Sequence, residues 1–255
     1  MGEFRVIMLI ERDGRRTRLT MKNKWMVRAA ATVLAVSLAA AAPVYGKEAG
    51  TAKAANAPAL QFPDVAVDHW AIKYISKLGK LGIVEGDDYG HYNPNDPVTQ
   101  EEVIIMAIRM MGLEDEAKQL GENNALPFTV SSFAQKHVVM AIEEQLIEPV
   151  QEVQIAEDLT NWGKTPATRE WVAKLAVTAA GKKAEAQMKM QGKTHFTDDG
   201  NISAWARGYI NEAVELGIVD GMEDGSFRPK DTVTRAQMAA FITRASAHLE
   251  EQPAN

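Results

Sequence analysis

Two arginines each stand directly after a threonine at the predicted start of a helix: Arg169 after Thr168, and Arg235 after Thr234. A guanidinium pairs bidentately with a carboxylate, and the free amides at a helix start also attract anions. This placement predicts two anion contacts, although both arginines could instead pair with acidic neighbours at the surface. A third threonine is followed by Gln100, which can donate only a neutral hydrogen bond, so we expect a weak or silent site there.

Residue patterns that would support catalysis or metal binding are absent from the sequence. The chain has no cysteine and five scattered histidines, and it lacks the His-Glu-x-x-His pair of zinc enzymes. It also lacks a phosphate-binding loop and a Gly-x-Ser-x-Gly nucleophile turn, and its acidic turns lack EF-hand spacing. We therefore predict no enzymatic activity, no metal site and no cofactor.

Charge is distributed unevenly along the chain. The formal net charge is -6, yet residues 1–46 hold eight basic and three acidic side chains. The remainder of the chain therefore holds 20 basic (28 - 8) and 31 acidic (34 - 3) side chains. Such an acidic body argues against general nucleic-acid binding, which needs a basic surface to displace counterions.

The first 46 residues have the pattern of a signal peptide. Residues 29–42 form an uncharged apolar run that follows three basic residues and precedes a cleavage point after Gly46. The run is short for a transmembrane span, so we expect no stable membrane insertion after the signal is removed. Residues 1–20 lack this pattern and are either a wrongly assigned start or an extended charged region of the signal, whereas residues 47–59 are typical of a flexible linker.

An internal repeat fills the rest of the chain. Shifting the sequence by 135 positions aligns residues 70–113 with residues 205–248 without a gap, and 15 of the 44 positions are identical. A degenerate copy lies between them, in which Phe133 takes the place of a tryptophan and the connecting loop is six residues longer. We assign the three repeats to residues 60–120, 121–190 and 191–250, followed by a tail at 251–255.

Each repeat has the pattern of a helix, a long loop and a second helix. In the first repeat, Trp70 and Ile75 lie on one apolar helical stripe with Asp68 as a predicted cap before it. Thr99 and Glu102 then form a predicted capping box for the second helix. One such unit cannot bury both apolar stripes alone, so the repeats must pack on one another. We predict a mainly α fold with a pseudo-threefold arrangement of three helix-loop-helix repeats.

The repeats resemble the S-layer homology motif over residues 62–113 and 196–248, with residues 128–181 as a degenerate middle copy. The first copy carries the resemblance in Phe62-Pro63-Asp64-Val65, His69-Trp70-Ala71, Leu81-Gly82-Ile83-Val84-Glu85-Gly86 and Val98-Thr99-Gln100-Glu101-Glu102. The third copy carries it in Phe196-Thr197-Asp198, Ala204-Trp205-Ala206, Leu216-Gly217-Ile218-Val219-Asp220-Gly221 and Val233-Thr234-Arg235-Ala236-Gln237. The resemblance implies a prism around a central three-helix bundle, with grooves between neighbouring repeats.

The resemblance also implies a function. Proteins of this family are anchored noncovalently to a secondary cell-wall polysaccharide attached to peptidoglycan, which is often pyruvylated. The pyruvyl carboxylate is the anion that Arg169 and Arg235 would hold. We therefore expect a secreted, non-catalytic protein at the cell wall or surface layer, with other surface proteins as further partners. The alternative is a surface protein-interaction or S-layer structural component without direct glycan binding, and a carbohydrate-active enzyme is more distant.

Three further pairs of residues at equivalent positions are candidates for the ligand site: Trp70 and Trp205, Gly86 and Gly221, and Asp64 and Asp198. For the tryptophans we favour core packing over stacking on a sugar, because an indole on an apolar stripe is usually buried. The glycines are most simply turn residues. The aspartates are either local caps, which we favour, or groups that orient a groove. In the middle loop, Trp162 and Lys164 are either a groove wall or exposed loop residues.

Overall fold

A computed structural model describes residues 62–121 and 125–249 of the chain in full, together with the backbone of two strands near the N-terminus. The apolar run of the predicted signal, the predicted linker at residues 47–59 and the predicted tail at 251–255 lie outside the described residues. The two strands, β1 (Arg5–Arg12) and β2 (Arg15–Lys22), pair antiparallel and belong to a separate unit. Neither strand is predicted from the sequence.

Helices dominate the unit that contains the repeats, as the sequence predicts. In chain order the α-helices of the described residues are α1 (Ile72–Lys80), α2 (Gln100–Met110), α3 (Glu114–Lys118), α4 (Gln135–Glu143), α5 (Pro149–Ile155), α6 (Arg169–Ala179), α7 (Lys183–Met188), α8 (Arg207–Glu215) and α9 (Arg235–Leu249). Short 3-10 turns lie at Trp162–Lys164 and Asp199–Asn201. The mainly α fold class is confirmed. No helix within the described ranges is long and apolar enough to cross a membrane.

A closed ring of three backbone hydrogen bonds joins the repeats just before their second helices. The amide of Val98 donates to the carbonyl of Val233 (2.9 Å), Val233 to Ala167 (2.9 Å), and Ala167 back to Val98 (2.8 Å). The helices that follow, α2, α6 and α9, pack against one another in all three pairings. These contacts are consistent with a pseudo-threefold prism around a three-helix bundle.

Threonine caps fix where the second helices of the first and third repeats begin. The Thr99 amide donates to Glu102 Oε2 (2.8 Å), and the Glu102 amide donates back to Thr99 Oγ1 (3.4 Å), which confirms the predicted capping box. Thr234 and Gln237 exchange the equivalent bonds in the third repeat (3.1 and 3.3 Å). The predicted cap at Asp68 is wrong, because α1 begins at Ile72, four residues further along the chain.

The middle repeat departs most from the common plan in its loop. Here α5 begins with Pro149, whose fixed φ suits the first helical position. Glu152 of this helix is fully buried and accepts hydrogen bonds from Lys174 Nζ (2.9 Å) and Trp171 Nε1 (2.9 Å) on α6. A charged, hydrogen-bonded contact therefore replaces the glycine-rich loop packing of the other two repeats.

Candidate functional site

Arg235 crosses from the third repeat to the loop of the first. Its Nε donates to the Tyr92 carbonyl (2.7 Å), Nη2 to the Glu85 carbonyl (3.1 Å) and Nη1 to the Glu102 carboxylate (3.2 Å). The guanidinium also lies 4.7 Å from the centre of the Tyr92 ring, and burial raises the pKa of that phenol to about 12. Three of the five N–H donors of this guanidinium thus have described partners, and two remain for a ligand.

The Arg235 groove, a cavity of about 490 Å³, lies at this contact. Its walls come from the first-repeat loop, α2 and the start of the middle repeat. The lining residues are Ile83, Val84, Glu85, Gly86, Asp87, His91, Asn93, Asp96, Pro97, Thr99, Glu102, Ile105, Met106, Arg109, Phe133 and Arg235. A second cation lies close by. Arg109 Nη1 is 3.2 Å from the side-chain carboxylate of Glu85, and the backbone carbonyl of the same residue accepts a hydrogen bond from Arg235. Two arginines therefore line the groove, of which Arg109 also pairs with Glu114 (3.4 Å).

Asp64 holds the loop that forms one wall of the Arg235 groove. Its two carboxylate oxygens accept from the amides of Tyr92 (2.8 Å) and Asn93 (2.6 Å). Asp198 does the same in the third repeat, with the amides of Phe227 and Arg228 at 2.8 Å each. Our preferred interpretation of these aspartates as local caps is wrong, because the amides they bind lie in a loop far along the chain. They orient the loop, and their oxygens are already occupied.

Arg169 makes the same backbone contacts as Arg235, but in the interior. Its Nε donates to the Phe227 carbonyl (2.8 Å) and its Nη2 to the Asp220 carbonyl (2.9 Å). The residue is 4% exposed, its guanidinium lies 4.9 Å from the Phe227 ring centre, and burial lowers its pKa. We expected Arg169 to contact a ligand directly. In the structure its hydrogen bonds instead fix the loop of the third repeat.

Gln100 holds the position equivalent to Arg169 and Arg235, where the first repeat meets the middle repeat. It lines a larger groove. This Gln100 groove has a volume of about 710 Å³. Its lining residues are Gln100, Ile155, Ala156, Glu157, Asp158, Trp162, Thr165, Pro166, Thr168, Glu170, Trp171, Ser203, Trp205 and Lys230. The expected weak site is thus an open groove whose chemistry differs from that of the Arg235 groove, since tryptophans replace guanidinium groups.

The two segments that carry these equivalent contacts also match a known family. Residues 61–104 and 195–239 match the S-layer homology domain. Two S-layer homology motifs are present. The matched residues do not include the middle repeat, so its place in the family stays a prediction, which the contacts of Arg169 support because they repeat those of Arg235.

Curated relatives of this chain include enzymes and surface proteins. The chain is 31% identical over 175 residues to an amylopullulanase of Thermoanaerobacterium thermosulfurigenes, covering 69% of this chain and 9% of the relative. It is 26% identical over 206 residues to the S-layer protein sap of Bacillus anthracis (81% and 24%). It is 24% identical over 178 residues to a cellulosome-anchoring protein of Acetivibrio thermocellus (68% and 36%). The chain therefore spans only a minor part of each relative.

Two of the three aromatic residues that open the repeats line the grooves: Phe133 lines the Arg235 groove and Trp205 lines the Gln100 groove. Trp70 is 55% exposed and Phe133 64% exposed, whereas Trp205 is half-buried and packs against the core. The core assignment for Trp70 is wrong, because it precedes α1 and its ring meets Tyr74 edge-on at 6.5 Å. Trp205 lies next to the middle repeat, with Lys174 Nζ 5.8 Å from its ring centre, whereas the ring contacts described for Trp70 are within its own repeat.

Both turn glycines of the motifs are required by close packing. A Cβ on Gly86 would lie 2.9 Å from the carbonyl carbon of Gly90. A Cβ on Gly221 would overlap the Phe196 ring. These contacts support their assignment as turn residues, and only their backbone groups could contact a ligand.

Sequence reasoning assigned no role to Arg109 and Arg244, although they are identical in the aligned repeats. Arg244 Nη1 lies 2.6 Å from Asp220 Oδ2, as Arg109 pairs with Glu85 in the first repeat. A hydrogen bond from Arg244 also lowers the pKa of Tyr74. The sequence did carry a signal for these residues, because the arginine is identical at aligned positions of two helices whose other residues mostly differ. Among the described residues no group of His, Asp or Glu side chains could hold a metal ion.

Proposed function

We propose that this chain anchors a protein to the bacterial cell wall by binding an acidic secondary cell-wall polysaccharide. The observation that carries the proposal is the Arg235 guanidinium, which lines a groove beside an S-layer homology motif with two donors unused. Relatives named as an S-layer protein and as a cellulosome-anchoring protein support a role at the cell surface. The protein acts there as a secreted binding module without catalysis.

The pyruvyl group of such a polymer fits the chemistry of the Arg235 groove. A pyruvyl ketal carries one carboxylate on a rigid ring, and a planar guanidinium binds a carboxylate through two parallel hydrogen bonds. Arg109 adds a second positive charge at the same place. Glu85, Glu102 and Glu114 already pair with these arginines, so a ligand carboxylate has to compete with them. The groove is therefore selective for ligands that also gain contacts with its walls, including Phe133.

A sedimentation assay with purified cell-wall sacculi tests the proposal. The full chain is mixed with sacculi before and after hydrofluoric acid extraction, which removes secondary polymers linked through phosphodiesters. We expect binding to sacculi that is lost on extraction. Binding that survives extraction would point to peptidoglycan instead. Absence of binding to either preparation would favour the alternative of a surface protein-interaction component, and release of wall sugars by the protein would contradict the non-catalytic role.

A further inference from the structure

Short helices cover the first helix of the middle and third repeats, but not that of the first repeat. Helix α3 follows α2 and packs on α4, and α7 follows α6 and packs on α8. In both cases a glycine at positive φ turns the chain between the two helices, namely Gly112 (70°) and Gly181 (74°). Ala247 holds the equivalent position in α9, which instead continues as a helix to Leu249. Among the helices of the described ranges, α1 packs on α9, and none covers it as α3 covers α4.

The uncovered face of α1 carries three lysines. Lys73, Lys77 and Lys80 are all exposed, and their spacing places them along one side of the helix. No acidic side chain in the part of the chain that the structure describes pairs with any of them. Lys73 Nζ instead lies 4.7 Å from the centre of the Tyr74 ring. The lysines therefore form a local positive surface on the acidic part of the chain that follows residue 46.

The third repeat shows what a covering segment contacts at two of these positions. Helix α8 carries Glu212 and Glu215 where α1 carries Lys77 and Lys80. Both glutamates pair with Nζ of Lys189, the residue that caps the end of α7, and the distance to Glu215 is 2.6 Å. The charge on α1 is the reverse of that on α8. A segment that covers α1 therefore needs an acidic residue where α7 ends in a lysine.

The middle repeat shows how the rest of a covering helix is held. Lys136 of α4 donates to the carbonyl of Lys118, the last residue of α3 (3.0 Å). Lys73 is the equivalent residue of α1 and can hold the end of an incoming helix in the same way. Ala117 of α3 and Ala186 of α7, each five residues after its turn glycine, are both fully buried. A covering helix therefore approaches closely through an alanine.

We propose that the α1 face, defined by Lys73, Lys77 and Lys80, docks a short acidic helix of a partner protein. This helix turns an alanine towards α1 and carries a glutamate or aspartate three residues further along, which pairs with Lys77 and Lys80. Lys73 binds its last carbonyl group. The α1 face contains none of the residues that line the Arg235 groove or the Gln100 groove, so the proposal does not depend on wall binding.

Three synthetic peptides test this assignment. They have the sequence of residues 112–121, which contain α3, with the natural Leu120, Leu120→Glu or Leu120→Lys at the position equivalent to Lys189. In each, an amide between Asp115 and the lysine of Gln119→Lys, two positions that are exposed in the protein, holds the peptide helical. Binding of the fluorescein-labelled peptides to the full chain is measured by fluorescence anisotropy. We expect the glutamate peptide to bind about tenfold more tightly than the lysine peptide, with the leucine peptide between them. If no peptide binds, or if the affinities do not follow this order, the proposal is wrong.

A variant with reversed charge separates docking from folding. Lys77→Glu combined with Lys80→Glu gives α1 the carboxylates of α8, so we expect the lysine peptide to bind it more tightly than the glutamate peptide. The control is Lys164→Glu with Lys193→Glu, which changes the net charge equally at two exposed positions outside α1 and should keep the wild-type order. Circular dichroism checks that both variants are folded. A folded α1 variant that keeps the wild-type order would overturn the proposal, as would a control that reverses it. Equal binding of a scrambled glutamate peptide would overturn the helix in favour of any acidic chain.

Discussion

Arg235 and Arg169 donate hydrogen bonds to carbonyl groups at equivalent positions of two different loops, yet only Arg235 remains accessible. Arg235 binds the carbonyls of Tyr92 and Glu85, and Arg169 binds those of Phe227 and Asp220. The two side chains therefore share a structural task, which is to hold the loop of the neighbouring repeat. A variant at the buried Arg169 therefore tests the structural task alone, whereas a variant at Arg235 removes both the loop contacts and the proposed ligand contact.

The variant Arg169→Ala should destabilise the protein. It leaves the buried carbonyl of Phe227 and the partly buried carbonyl of Asp220 without their donor and opens a cavity beside the Phe227 ring, so we expect the free energy of unfolding to fall by roughly 3 kcal/mol. Urea denaturation followed by circular dichroism measures this change. Lys183→Ala, which removes a surface pair with Glu148, should cost less than about 1 kcal/mol. Equal effects of the two variants would contradict the structural role of Arg169.

The variants Arg235→Ala and Arg235→Lys should weaken binding to sacculi. Lysine keeps the charge but lacks the planar fork, so we expect both changes to reduce the affinity about tenfold or more. The sedimentation assay with Lys183→Ala as the control measures this. Wild-type binding by Arg235→Lys would show that the groove needs only a positive charge. Wild-type binding by Arg235→Ala would exclude Arg235 as the ligand contact.

A pair of glycine variants tests the packing of the third-repeat loop. Gly221→Ala would bring a Cβ into the Phe196 ring, so we expect a loss of about 1–3 kcal/mol in the free energy of unfolding. Gly200→Ala places its Cβ where no atom lies within 4 Å, and it should stay within about 0.5 kcal/mol of wild type. Thermal unfolding compares the two. A similar loss for both would indicate an effect of chain flexibility instead of a clash.

Much of the local structure could be predicted from the repeat pattern. Thr99 and Glu102 form the capping box because both partners lie within one helical turn, where the spacing alone determines the contact. Pro149 also carried a signal for α5 that we did not use, since proline favours the first position of a helix.

The differences between equivalent residues could not be predicted in this way. Arg169 and Arg235 follow threonine in the same pattern, and their burial depends on loops that are distant in sequence. Trp70 fits the apolar stripe of α1, but the helix begins after it, so the periodicity did not apply. Gln100 of the first repeat and Trp162 of the middle repeat line one groove only because the two repeats pack together.

Acid should weaken the contact between the first and middle repeats at Glu114. Burial raises the pKa of this carboxyl, but hydrogen bonds from His137 and Lys118 and the charge of Arg109 outweigh it, so the pKa lies below its usual value. A lowered pKa in the folded state contributes stability above the unfolded value near 4.3, and this is lost as the pH falls further.

The variant Glu114→Gln should therefore be less stable than wild type at neutral pH, by at most about 1 kcal/mol because the pairs are partly exposed. The difference should shrink as the pH falls below about 4. Thermal unfolding across this range measures it. Asp115→Asn removes the same charge from an exposed neighbour on α3 and serves as the control. A difference that stays constant with pH would contradict an ionised, paired Glu114.

Removing one partner of the buried pair of Glu152 and Lys174 should destabilise the protein strongly, whereas replacing both partners by apolar residues should destabilise it much less. Glu152→Ala leaves a buried ammonium without its partner, so we expect a loss of about 3–5 kcal/mol in the free energy of unfolding. The double variant Glu152→Leu with Lys174→Met removes both charges and keeps similar volumes. We expect it to recover most of that loss, because desolvation of two ions roughly cancels their attraction, although Trp171 loses its acceptor. A double variant as unstable as Glu152→Ala would show that the middle repeat depends on the carboxylate itself.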